Sequence, residues 1–257
     1  MLYGFTAAFL CIPTTAQKFE KISINAPRPI AEAVEMLEQK YGWVITYEDP
    51  EYTYAADLKD VTAIMAGRRA LMSAEPVDPN ETILVPVGGR FEFKYRIEDG
   101  KPEEEPLVFL RRMAAEYAAG APGWPLFQVE QRGNKLHVFP LKARNRQGHF
   151  VQSRPILGRT ISIPRETRSA NQMFAQIIAE TMRVSGRPIR TFASLVYTHR
   201  YLAEYGCSDL PARECLENMF EQISYPLESR DSWRLIYDPG RGAYTLTFHW
   251  VRCKRPQ

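Results

Sequence analysis

The sequence predicts an α+β fold: two tandem units of short strands, with amphipathic helices packed on small, mostly antiparallel sheets. Three observations predict it. A strand–helix–strand grammar that closes in a strand–turn–strand hairpin occurs twice, over about residues 19–141 and 159–251, and internal repetition of this kind sets architecture before any single residue is interpreted. Apolar residues alternate with a period of two in some stretches and recur at helical spacing in others. Nineteen prolines in 257 residues punctuate loops and suit short elements better than long bundle helices.

Taken in order, residues 19–25 (FEKISIN) alternate around Phe19, Ile22 and Ile24 and read as a strand. Pro27 and Pro29 open a helix whose Ile30, Val34, Leu37 and Tyr41 form one stripe on a 3.6-residue period. Gly42 stands where a left-handed cap is expected, and the β-branched, aromatic run WVITY (residues 43–47) reads as a strand. Residues 51–88 are irregular, with a short helix predicted over 60–72. Phe91, Phe93, Tyr95 and Ile97 alternate with polar neighbours in a half-buried strand. Pro106 begins a helix carrying Leu107, Leu110, Met113, Ala114 and Tyr117 and ending at Gly120. Glu103, Glu104 and Glu105 before it complement the helix dipole. Phe127 and Val129 face Leu136 and Val138 across a Gly133-Asn134 turn.

The second unit repeats the order. Ile161 and Ile163 mark a strand, and Ser169 caps a helix bearing Met173, Phe174, Ile177, Ile178 and Met182 that ends at Gly186. Residues 188–192 form the next strand. Pro211 stands at the first position of a further helix, with Ala212, Leu216, Met219, Phe220 and Ile223 on its apolar side. Trp233, Leu235 and Tyr237 then face Tyr244, Leu246 and Phe248 across a turn at residues 239–242. The polar run KARNRQG (residues 142–148) is the natural boundary, giving units at residues 17–147 and 148–257.

Residues 2–13 are apolar and uncharged, and Thr14 and Ala16 supply small side chains at the −3 and −1 positions of a signal-peptidase site. Residues 1–16 therefore read as a signal peptide, although no Lys or Arg precedes Lys18. The residues before Cys11 are not those of a lipidation site. No later run is apolar enough to span a bilayer, so the mature chain is expected in the periplasm or secreted, not as an integral membrane protein. Export permits disulfides, and Cys207 and Cys215 flank a predicted turn at residues 208–211, the candidate pair. A net charge of +3 without a clustered basic face gives no sign of a nucleic-acid partner.

The chemistry-bearing residues are sparse. His137, His149, His199 and His249 are far apart and in no metal-ligand spacing, so neither metal nor cofactor is expected. His137 and His249 lie on the polar side of their strands and read as solvent-facing. No phosphate loop or nucleophile elbow occurs, and no residue is singled out as catalytic. Of the C-terminal aromatics, Trp233, Tyr237, Tyr244 and Phe248 fall on the apolar face, which leaves Trp250 as the candidate exposed contact.

Residues 29–47 (PIAEAVEMLEQKYGWVITY) resemble the short N-terminal domain of secretins and TonB-dependent receptors. Ala33, Leu37 and Gly42 carry that domain's alanine–leucine–glycine rhythm, with Val34 and Ile45 as core partners. Residues 211–237 resemble a second pass, without the closing glycine. As a whole the chain also resembles uncharacterised exported proteins of soil bacteria, of the acidobacterial type. Pro140 with the polar loop after it, and the closing SWRLIYDPG at residues 232–240, carry that likeness. The short domain implies protein contacts in the periplasm. The expectation is a non-enzymatic interaction module whose partner is another envelope protein. The alternatives are a hydrolase of cell-wall or extracellular polymer and a carbohydrate-binding module.

Overall fold

The structure, a computed structural model, describes residues 17–71, 82–121, 123–191, 202–223 and 229–252. The predicted signal peptide with Cys11, and also His199 and Cys253, lie outside the described residues. Among the described residues five helices pack on several small, mostly antiparallel sheets, an α+β fold. Among the described residues no helix is long and apolar enough to cross a membrane.

The first half runs β1 (Lys18–Ala26), α1 (Pro29–Tyr41), β2 (Val44–Glu48), β3 (Leu58–Asp60), α2 (Thr62–Leu71), β4 (Leu84–Pro86), β5 (Gly89–Glu98), β6 (Lys101–Pro102), α3 (Pro106–Gly120), β7 (Leu126–Arg132), β8 (Lys135–Arg144) and β9 (Phe150–Gln152). The second runs β10 (Thr160–Ser169), α4 (Ala170–Ser185), β11 (Ile189–Thr191), β12 (Leu202–Pro211), α5 (Ala212–Gln222), β13 (Ser229–Asp238) and β14 (Ala243–Arg252).

Strand pairing is alike in the two halves. The opening strand pairs antiparallel with a long strand that leads to the last helix of its half, β1 with β5 ahead of α3 and β10 with β12 ahead of α5. The closing hairpin is β7–β8 in one half and β13–β14 in the other. The strand after the first helix joins that hairpin in parallel, β2 on β8 and β11 on β14. By this pairing α4 corresponds to α1. Both end on a glycine in the left-handed region, Gly42 (φ 70°) and Gly186 (φ 67°), whose N–H bonds the carbonyl four residues back. Residues 211–237 span α5 and β13, which by the same pairing correspond to α3 and β7.

The three-stranded pieces from the two halves fuse into one central sheet of order β11-β14-β13-β2-β8-β7, with β9 beside β8. Helices α1 and α3 cover one face, packing Leu37, Phe109 and Met113 on Ile45, Tyr47, Val129 and Val138. Helices α4 and α5 cover the other, packing Ile177, Leu216 and Met219 on Trp233, Leu235 and Leu246. The β1–β5–β6 sheet closes over the first helix pair and the β10–β12 ladder over the second. The result is five layers, β/α/β/α/β.

Two sequence expectations change here. The polar run at residues 142–148, read as the boundary between units, begins as strand. Lys142 and Arg144 lie in β8 and pair with Gln152 and Phe150 of β9. The turn expected at residues 208–211 is strand, for β12 continues to Pro211. Asp209 takes a positive φ of 52°. It is held in the ladder by Ser162, which accepts from the Asp209 N–H (2.9 Å) and donates to its carboxylate (3.0 Å).

Candidate interaction surfaces

The junction of the two halves is a strand-edge contact. Tyr47 and Glu48 of β2 pair in parallel with Arg234 and Leu235 of β13. The Asp49 N–H donates to the Leu235 carbonyl at 2.8 Å, and the Ser232 hydroxyl donates to the Ile45 carbonyl at 2.9 Å. All five residues of β2 are buried, because the strand has neighbours on both edges and helices on both faces. An apolar, β-branched run is what such a position requires.

Charged groups line this seam. Asp49 is fully buried and accepts from Arg28 Nε (2.5 Å), the Tyr47 hydroxyl (2.6 Å) and the Tyr237 N–H (3.1 Å), while Arg28 also donates to the Tyr237 carbonyl. Burial pushes the Asp49 carboxyl above its ordinary range even with Arg28 beside it. On the other face Glu48 accepts from the Ile156 N–H, and burial pushes its carboxyl up to about 7. His137, expected at the surface, is 3% exposed. Its Nδ1 lies 2.6 Å from the Thr46 hydroxyl and its Nε2 lies 3.0 Å from Glu217 of α5. Alternation put His137 on the correct face of β8, but α5 of the second half covers that face. Burial works to raise the Glu217 carboxyl, and His137, Lys135 and Arg132 outweigh it and hold the group low.

The outer edge of β7 repeats the chemistry of the junction. Val129 in β7 and Leu235 in β13 each stand three residues before the strand's last residue, each with its side chain in the core of its own half. The Leu235 carbonyl accepts from Asp49 N–H across the junction. The Val129 carbonyl accepts from Arg111 Nε of α3 at 3.1 Å. Among the described residues no strand lies beyond β7. A side chain therefore caps the carbonyl that, at the equivalent edge, a neighbouring strand takes.

A second surface is a cleft of about 610 Å3 between α1 and the β13–β14 hairpin, lined by Glu35, Glu38, Arg234, Thr247, His249 and Trp250 among others. Glu38 is buried here. It accepts from the Ile45 N–H (3.2 Å), and its other oxygen meets Arg234 and His249 Nε2 (2.9 Å). Arg234 also reaches Glu35 at 3.5 Å. His249, expected to face solvent, is thus half-buried against α1. Trp250, the aromatic singled out from sequence, is 58% exposed at the rim. Trp233, Tyr237 and Tyr244 are core, and the partly buried Phe248 lines the same cleft.

Cys207 and Cys215 form a disulfide with Cα atoms 5.9 Å apart, tying β12 to α5. Among the described residues no group of three or more His, Cys, Asp or Glu is placed to hold a metal ion. The buried acids and His137 at the seam were not singled out from sequence. Their signal was a polar side chain repeated on one side of otherwise apolar strands. No family model, curated protein or solved structure matches the chain.

Proposed function

We propose that the chain is a non-enzymatic interaction module of the bacterial envelope, exported to the periplasm or secreted, that takes up an extended segment of another envelope protein on the outer edge of β7. The observation that carries this reading is the β13–β2 junction. There an edge of the same kind, at the same position relative to its hairpin, already binds a strand. Strand addition of this type draws affinity from main-chain hydrogen bonds and selectivity from alternate side chains. Arg111 serves as a displaceable cap that blunts the edge until a partner arrives, as exposed edges require. We further read each half as a copy of one module akin to the short domain of secretins and TonB-dependent receptors. The buried Ala33 and Leu37 and the left-handed Gly42 support that likeness in the first half.

The groups of the α1–hairpin cleft favour recognition over hydrolysis. Glu35 and Glu38 converge on one guanidinium, and Glu38 is further held by His249 and a backbone N–H. A hydrolase of the paired-carboxylate kind needs one acid and one base free to meet substrate.

A synthetic peptide copying residues 44–49, the strand that β13 binds, is the probe. Amide hydrogen exchange should show added protection over residues 126–132 when the peptide is present. Arg111→Ala should tighten binding several-fold by freeing the Val129 carbonyl. Protection elsewhere but not in β7, or an Arg111→Ala variant that binds no better than the parent, would count against the reading.

A further inference from the structure

A third concave surface differs from both of these in its charge. The turn between β8 and β9, residues 153–159 and the loop after α4 enclose a cleft of about 450 Å3. Arg144, Arg146, Arg154, Arg159 and Arg187 line it, against a single carboxylate, Glu51. With Asp57 paired to Arg144, the local excess is three positive charges in a chain whose total is +3.

Two of the five arginines are neutralised where they stand. Arg144 pairs with Asp57 through both Nε (3.0 Å) and Nη2. Arg187 pairs with Glu51 through Nη2 (2.5 Å) and Nε (3.1 Å). Arg146, Arg154 and Arg159 have no carboxylate partner among the described residues. The Nε of Arg159 is shielded from solvent and meets no acceptor among those residues. A desolvated N–H of a charged group without an acceptor is costly, and an anionic oxygen at that point removes the cost.

The backbone that carries Arg159 is fixed. The Gly158 and Arg159 N–H groups close tight turns on the Pro155 and Ile156 carbonyls. Ile156 and Leu157 are buried, and the Ile156 N–H is tied to Glu48. The Arg213 and Ala212 N–H groups donate to the Leu157 and Arg159 carbonyls, which docks the segment on the start of α5. A cation fixed before the ligand arrives loses little freedom on binding.

Guanidinium groups match phosphate oxygens in bidentate geometry. Three unpaired ones suit a ligand of two or more negative charges better than a lone carboxylate. The volume lies within the roughly 300–1,000 Å3 typical of small-molecule sites. We propose that this cleft binds a phosphorylated ligand carrying two or more negative charges, through Arg146, Arg154 and Arg159. The proposal stands apart from the β7 reading, since none of its residues lies in that edge.

Titration calorimetry with inorganic pyrophosphate on the whole chain tests it, with vesicles containing phosphatidylglycerol as a second probe. Pyrophosphate binding should fall tenfold or more in Arg154→Ala and again in Arg159→Gln. Arg96→Ala, at a distant exposed site, should bind as the parent does. Arg154 is exposed, so circular dichroism of Arg154→Ala should match the parent and any loss reports the site rather than the fold. Vesicle binding that the same two substitutions abolish would assign the phosphate to a lipid headgroup. Pyrophosphate and vesicle binding that are both absent, or that persist undiminished in Arg154→Ala/Arg159→Gln, would overturn the proposal.

Discussion

The two halves of the molecule connect their strands alike and fill their interiors with different chemistry. In the first half the core is a stack of rings. Phe109 makes edge-on contacts with Trp43, Phe93 and Tyr95, with centroids 4.9–5.3 Å apart, and Tyr117 stacks on Trp124. The β1–β5 ladder above it pairs nine residues without interruption. In the second half Ile161, Ile163, Ile177 and Met219 pack beside Tyr205, with a smaller ring group of Phe174, Phe220 and Phe248 at 5.3 Å, and the β10–β12 ladder is broken by two register shifts. A covalent tie, Cys207–Cys215, joins that irregular ladder to the helix beneath it. The contrast teaches that one set of connections can be held by an extended ring stack under a regular ladder, or by mixed aliphatic and aromatic packing with a staple under an irregular one.

The largest effect is expected from the ring stack. Phe109→Ala removes a fully buried side chain and should cost about 3–5 kcal/mol, read from urea unfolding. Ile177→Ala removes a smaller, equally buried side chain in the second half and should cost about 2–5 kcal/mol.

At the seam between the halves, Glu48 gives a pH signature. Its folded pKa of about 7 lies above the value near 4.3 of an unfolded chain. Below about pH 4 the carboxyl is protonated in both states and its burial costs nothing electrostatic. Between about 4.3 and 7 the unfolded chain loses the proton first, so stability falls as pH rises, by about 4 kcal/mol in all. Glu48→Gln should flatten that part of the profile, and the difference between parent and variant isolates the group from Asp49 and Glu217. Parallel profiles for the two would remove Glu48 from the account.

The staple comes last. Cys207→Ala opens a short loop and should cost about 2–3 kcal/mol. Hydrogen exchange should rise in β10, β12 and α5 and leave β1 and β5 unchanged. Equal loosening of both ladders would show that the disulfide supports the whole molecule rather than its irregular half.

Most elements were legible because their signals are local. The stripe from Ile30 to Tyr41, the alternation from Phe91 to Ile97 and the opposition of Trp233 to Phe248 all report spacing along a few residues, and the structure keeps them. What was not legible depends on which surfaces meet. Alternation shows that His137 and Thr46 share a side of the sheet with Glu48. It does not show that α5, some seventy residues on, covers that side. The arginine cleft escaped for the same reason, since Arg144 and Arg187 are brought together by the layers and by no spacing. The α1–hairpin cleft was half legible: Trp250 was visible as the aromatic off the apolar face, but Glu38 looked like one more charge on a helix.

The shared central sheet bears on how the chain is made. Strand β2 leaves the ribosome early, yet the neighbour on its second edge belongs to the closing hairpin, as the Ser232–Ile45 bond across 187 positions records. Until that hairpin is synthesised, a buried, β-branched strand waits with one edge bare. Such an edge is a site for wrong pairing between growing chains. A fragment cut after residue 147 carries the same bare edge permanently, so the halves are poor candidates for separate expression.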